Sequence, residues 1–106
     1  MSMFMPFVFI YVTASSEQEG QMIVHNLLQQ RLIACANIFP VKSMYLEKEK
    51  IINRREVILI LKTREEKSSR VKREIENIHS YKIPAIIKIA MVPNESYGKW
   101  LNFQLP

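Results

Sequence analysis

Cysteine, glycine, tryptophan and histidine are scarce in this 106-residue chain, with one Cys, two Gly, one Trp and two His. A lone Cys35 excludes an intramolecular disulfide framework and is compatible with a reducing compartment. Gly20 and Gly98 are too few, and too far apart, for the glycine-rich phosphate cradle that an acylphosphatase-like chemistry would use. Neither the two histidines nor Cys35 fall in a paired ligand spacing such as C-x-x-C or H-x-x-x-H. No nucleophile elbow and no paired carboxylates stand out, so the chain reads as a non-enzyme. No apolar run approaches the roughly 20 residues of a membrane span. The apolar stretch over 3–12 lacks a basic start, is interrupted by Pro6 and is followed by no small-residue cleavage site. The expectation is a cytoplasmic single domain over 1–106 with no membrane partner.

The formal charge of +5 raises nucleic acid or an anionic ligand as a partner. The basic residues are mostly interleaved with acids, as in Glu47-Lys48-Glu49-Lys50 and over 70–76, which describes solvated faces rather than a phosphate-tracking stripe. An RNA-recognition domain needs exposed stacking aromatics on its third strand. The third apolar segment here is Val57-Ile58-Leu59-Ile60-Leu61, so no nucleic-acid partner is expected.

What the chain does have is two unbroken apolar runs, Phe7-Val8-Phe9-Ile10-Tyr11-Val12 and Val57 to Leu61. Half-buried strands alternate apolar and polar, whereas strands covered on both faces read apolar throughout. Two substantial helices suffice for one face of a small sheet. The other face then needs copies of the same chain.

Along the sequence, a strand is expected over 7–13. A capping box of Ser16 and Glu19 opens a helix over 17–32, with Val24, Leu27, Leu28 and Leu32 as its buried stripe. A second strand runs from Cys35 toward Glu47, with Pro40 marking an edge, bulge or bend. The turn of a hairpin lies over 47–50, and a third strand over 52–62. Thr63 and Glu66 make a second capping box for a helix to about His79. That helix buries Val71, Ile75 and Ile78, and pairs Arg70 with Glu74 and Lys72 with Glu76. A fourth strand over 85–92 precedes a short helix with Tyr97, Trp100 and Leu101. The order β-α-β-β-α-β is the ferredoxin-like α+β pattern, an antiparallel sheet with the first and third strands central.

Several segments, in order, carry a resemblance: Val12-Thr13; 31–38, from Arg31 through Cys35 to Ile38; Ser43-Met44-Tyr45; Glu56; Leu59-Ile60-Leu61-Lys62-Thr63; His79-Ser80-Tyr81-Lys82-Ile83-Pro84; and Tyr97 with Trp100. Together they resemble the CutA family of divalent-cation tolerance proteins over nearly the whole length. The resemblance implies a ferredoxin-like subunit in a tight homotrimer with sheets facing inward, and an architectural relationship to PII signalling proteins. It also implies a link to Cu2+ or another divalent cation, none required for folding, alongside a regulatory or sensing role with an unidentified protein partner. The chain departs from the family pattern at Ser80 for a Pro, Ala85 for a Glu, Glu47 for a Trp, Glu49 for a Gly, and Gly98 for an apolar residue. The missing carboxylate at 85 removes one donor from a metal site.

His79 and Cys35 are the metal candidates, because imidazole and thiolate suit copper or zinc. Their ordinary alternatives are a helix C-terminal His and a small buried hydrophobe. His25 reads as surface. Lys62, Tyr81 and Lys82, with Tyr45, Tyr97 and Trp100, are the candidate ligand-cleft residues; the resemblance implies that several of these positions gather near the clefts between subunits, and aromatics flanking a lysine suit a small anionic or planar ligand. The alternative for these aromatics is to anchor the subunit interface.

Overall fold

Alternation within each strand decides which side chains meet the helices. The computed structural model describes residues 6–106, so the start of the apolar N-terminal stretch, at 3–5, lies outside the described residues. Four strands, β1 (Phe7–Ala14), β2 (Cys35–Glu47), β3 (Lys50–Arg64) and β4 (Ile86–Met91), form one antiparallel sheet in the order β2-β3-β1-β4. Helices α1 (Glu17–Gln29), α2 (Ser68–Ile78) and α3 (Glu95–Gln104) complete the α+β fold. The two apolar runs occupy the two central strands, as the ferredoxin-like order requires.

The register places Val8, Ile10, Val12 and Ala14 of β1 opposite Thr63, Leu61, Leu59 and Val57 of β3. These side chains share the helical face. Val12, Ala14, Leu59, Leu61 and Thr63 are wholly buried there, together with Ile23 and Leu27 of α1 and Val71 and Ile75 of α2. The buried stripe of α1 is Gly20, Ile23, Val24 and Leu27, the i, i+3, i+4, i+7 set. Leu28, expected in that stripe, is exposed. Leu32 is buried, but beyond the helix, because α1 stops at Gln29.

Both ends of α1 are closed by identifiable groups. The Ser16 hydroxyl accepts the Glu19 N–H at 3.1 Å, which is half of the expected capping box. The reciprocal bond comes from the Ser15 N–H, one residue earlier, to the Glu19 carboxylate at 2.9 Å. At the C-terminus, Arg31 takes φ 55. The Arg31 N–H bonds the Leu28 carbonyl and the Leu32 N–H bonds the Leu27 carbonyl. This is a Schellman ending with arginine where glycine is usual.

The second expected capping box is not formed. Thr63 still points inward from β3, so its hydroxyl donates to the Leu32 carbonyl at 2.7 Å. The chain enters α2 through a 3-10 turn at Glu65–Lys67 instead, and the Ser68 hydroxyl donates to the Glu65 carbonyl. Nor do the pairs expected along α2 form among the described residues. Arg70 donates to the Gln30 side chain, which in turn donates to Glu74, so both reach the end of α1.

On the other face of the sheet lie Phe9 and Tyr11 of β1, Phe39 of β2, Ile60 of β3, and Ile87 and Ile89 of β4. Phe39, Ile87 and Ile89 are 39–49% exposed. The helices do not all lie on one side. At one end of this face α3 crosses over Phe7, Lys62 and Arg64, through Gly98, Tyr97 and Asn102, and buries Leu101. At the other end the β2–β3 hairpin runs far past the helices, which gives the molecule extents of 54 × 24 × 21 Å. Its two-residue turn, Lys48-Glu49, holds both residues at positive φ, 50° and 67°. Pro40 sits on β2, an edge strand, where the missing N–H is tolerated. Among the described residues no helix is long and apolar enough to cross a membrane.

Candidate functional site

His79 follows α2 directly, and the chain then turns over the end of β1. Its Nε2 lies 2.7 Å from the Thr13 carbonyl, and its Nδ1 accepts the Tyr81 N–H at 2.9 Å. An N–H donor on Nδ1 places the imidazole proton on Nε2, where it donates to Thr13. Glu19 Oε2 stands 3.7 Å from Nδ1. That is a neighbouring carboxylate and not an ion pair, because Nδ1 carries no proton in this arrangement. The His79 side chain has no exposed surface. It is a buried strut with both nitrogens in use.

Glu19 is the hub of this network. It accepts from the Ser15 N–H and hydroxyl at 2.9 and 2.7 Å, and from the Ser80 N–H at 2.7 Å. Burial by itself would raise its pKa. The bonds from Ser15 and Ser80 outweigh it and bring the carboxyl down to about 2. The Ser15-Ser16-x-x-Glu19 spacing signals a cap, but nothing local in the sequence reveals the tie to Ser80, 61 residues away.

Tyr81 turns onto the open face of the sheet. Its hydroxyl donates to Glu56 at 2.5 Å and its ring lies 5.0 Å beneath the Arg54 guanidinium. Burial, then the bond to the Glu56 carboxylate, pushes the phenol up to about 12. Arg54 is held charged by the Tyr45 hydroxyl first, then by Tyr81. Tyr45, Arg54, Glu56 and Tyr81 thus form one polar-aromatic group near the base of the hairpin. The place of Arg54 in this group was not legible in the sequence.

Lys62, Tyr97 and Trp100 form a second group. Lys62 donates to the Tyr97 hydroxyl at 3.2 Å and lies 5.3 Å from that ring's centre. Tyr97 and Trp100 stack with centroids 5.7 Å apart, at 10° between planes. Trp100 keeps 44% of its surface exposed. Lys62 and Glu56 are six residues apart along β3, about 20 Å, so within one chain the expected cleft residues divide into two groups. Lys82 is exposed in the loop before β4 and joins neither.

Cys35 faces Lys62 directly across the ladder. Thr13, against which His79 is bonded, pairs with Ile58 and through it with Phe39. That row is four residues from Cys35, about 13 Å along the strand. The two metal candidates are therefore not brought together. Among the described residues no group of three His, Cys, Asp or Glu could hold a metal ion. With His79 closed and Cys35 alone, the donors of a single chain do not fit a tight copper or zinc site, which takes three or four ligands.

Residues 8–104 match the model of the CutA1 divalent ion tolerance protein family. A divalent-cation tolerance protein CutA of Archaeoglobus fulgidus is 44% identical over 81 residues, covering 76% of this chain and 79% of that protein. The solved structure described as the periplasmic divalent cation tolerance protein CutA of the same organism superposes with a TM-score of 0.90 at 37% identity, over 94% of this chain and 99% of that one. CutA1 of Oryza sativa superposes at 0.92 and 27% identity, over 99% and 98%. By the match over nearly its whole length, and by the shared fold, the chain belongs to the CutA1 family of divalent ion tolerance proteins.

Proposed function

We propose that this protein serves divalent-cation tolerance, with copper as the principal cation, as a non-enzymatic homotrimer that contacts the metal weakly. The observation that carries the reading is family membership over residues 8–104. Weak contact follows from the donor set, since no single chain gathers three ligands among its described residues. What supports assembly is the open sheet face, where Phe39, Ile87 and Ile89 remain exposed on an isolated subunit. Three copies packing these faces inward would cover them. The lone, part-buried Cys35 is consistent with cytoplasmic work, although one relative is described as periplasmic.

Titration calorimetry with Cu2+ and Zn2+ tests the metal reading. The expected result is weak, saturable copper binding that survives His79→Ala in a folded trimer and falls in Cys35→Ser. Absence of saturable binding in the native protein would remove direct metal contact. Sedimentation tests the assembly separately, and a well-folded monomer at micromolar concentration would refute it.

The Lys62–Tyr97–Trp100 group favours a second reading, a PII-like module that senses a small ligand between subunits. An accessible indole stacked on a tyrosine beside an ammonium suits a planar anion. Trp100 fluorescence reports on it directly. A ligand screen in which no compound quenches Trp100 or raises the melting temperature would refute this reading without touching the first.

A further inference from the structure

On the helical side of the sheet, at its β4 edge, the inward pattern breaks. Ile86, Lys88 and Ala90 of β4 pair with Val12, Ile10 and Val8 of β1, so Lys88 occupies a position where an apolar residue would ordinarily meet a helix. The gap between β4 and α2 is a cavity of about 310 Å³. Ile10 and Ile86 form its floor, and Ser68, Ser69, Lys72 and Lys88 its rim. This volume falls in the range of small-ligand pockets. It lies across the sheet from the open face that we assign to subunit contact.

The donors of this cavity already hold one carboxylate. Lys88 Nζ donates to both oxygens of Glu65 at 2.9 Å, and the Ser68 hydroxyl, whose proton goes to the Glu65 carbonyl at 2.7 Å, lies 3.1 Å from Oε2 of the same carboxylate. Lys88 in turn holds the Glu65 carboxyl below its ordinary pKa. Lys72 and Ser69 line the same rim and have no hydrogen-bond or ion-pair partner among the described residues. One half of the rim is therefore matched to an oxyanion within the chain, and the other half is unmatched.

We propose that the cavity between α2 and β4 binds a small organic acid. Its carboxylate or phosphate group would sit between Lys72 and Lys88, and its apolar body on Ile10 and Ile86. Neither the metal reading nor the Trp100 cleft uses any of these residues, so this site stands or falls by itself. Glu65 is the internal competitor for the same ammonium.

The test is a titration of the full chain, labelled at isoleucine methyls, with benzoate, phenyl phosphate and neutral benzyl alcohol at low salt. Saturable shifts at Ile10 and Ile86 are expected with at least one anion and not with the alcohol. The anion that binds more tightly identifies the head group. Lys72→Gln, which breaks no contact in the free protein, should weaken binding about tenfold, the ordinary effect of one charge-assisted hydrogen bond. Glu65→Gln should tighten it by removing the competitor. The proposal is overturned if neither anion saturates the two methyls, if benzyl alcohol binds as well, or if Lys72→Gln leaves the affinity unchanged. It is also overturned if Glu65→Gln weakens binding while the remaining methyl spectrum shows an intact fold.

Discussion

The two faces of the sheet are made by alternate residues of the same strands, yet they do different work. On the helical side, Val12, Leu59 and Leu61 have no exposed surface, and the side chains beside them are apolar from both helices. On the other side, the neighbours one position away along each strand include Phe9, Tyr11, Ile60 and Lys62, all only half-buried. The Glu56–Tyr81–Arg54 and Lys62–Tyr97–Trp100 groups lie here too. One face therefore carries most of the core of the single subunit, and the other keeps apolar side chains half-buried. An unbroken apolar run in the sequence is the shared signature of both duties.

The sharpest way to break this comparison is to damage each face alone. Leu59→Ala removes a wholly buried side chain from the helical face and should cost about 2–5 kcal/mol in urea unfolding. Ile89→Asp alters the open face and leaves that core intact. Its effect should appear as lost assembly: the native melting temperature should rise with protein concentration, and the variant's should not. Equal, concentration-independent losses in both variants would mean that the open face is not an interface.

Gly20→Ala probes how closely α1 seats on the helical face. A Cβ at position 20 would stand 2.9 Å from Leu59 Cδ2 and 3.2 Å from Val57 Cγ2. Those atoms are themselves packed, so a loss of about 1–3 kcal/mol is expected, against the small gain that Ala normally brings to a helix. An unchanged or raised urea midpoint would show that Leu59 can move aside.

The polar network at the top of β1 tests whether a hydrogen-bonded cluster at the edge of the sheet matters as much as the core. Glu19 has a folded pKa of about 2 against an ordinary 4.5. Its contribution is therefore fully present above about pH 4.5 and is lost as the pH falls toward 2. Glu19→Gln should cost about 1–3 kcal/mol at neutral pH, the scale of charged hydrogen bonds, and should flatten stability between those two pH values. A native stability profile flat through that window would contradict the network.

Strand order, helix number and the central place of the two apolar runs were legible because burial on a sheet leaves a period-two or unbroken apolar signal. The family resemblance was legible for a different reason, the order and spacing of short matching segments. What could not be read locally was long-range and polar. Thr63 looked like a helix cap by its spacing to Glu66, but its inward position on β3 sent the hydroxyl to Leu32. His79 looked like a metal ligand or a helix C-terminal histidine, and only the turn to Tyr81 and the carbonyl of Thr13 reveal both nitrogens as occupied. The candidate cleft looked like one cluster because its residues share chemistry. The β3 register separates Lys62 from Glu56 along the strand.

The smallest effect belongs to the hairpin tip, which stands outside both faces. Lys48 and Glu49 sit at φ 50 and 67°, the conformation of a type I′ turn that favours Asn-Gly. A side chain held there costs about 1–2 kcal/mol relative to glycine. Glycine gives back part of that, about 0.5–1 kcal/mol, through the greater freedom of its unfolded chain. Glu49→Gly should therefore stabilise by up to about 1 kcal/mol, and Lys48→Asn by less. The gain should appear in a urea midpoint without altering assembly, because the turn belongs to neither face. If E49G instead changes the sedimentation of the native protein, the charged tip takes part in subunit contact, and the boundary between the two faces extends along the whole hairpin.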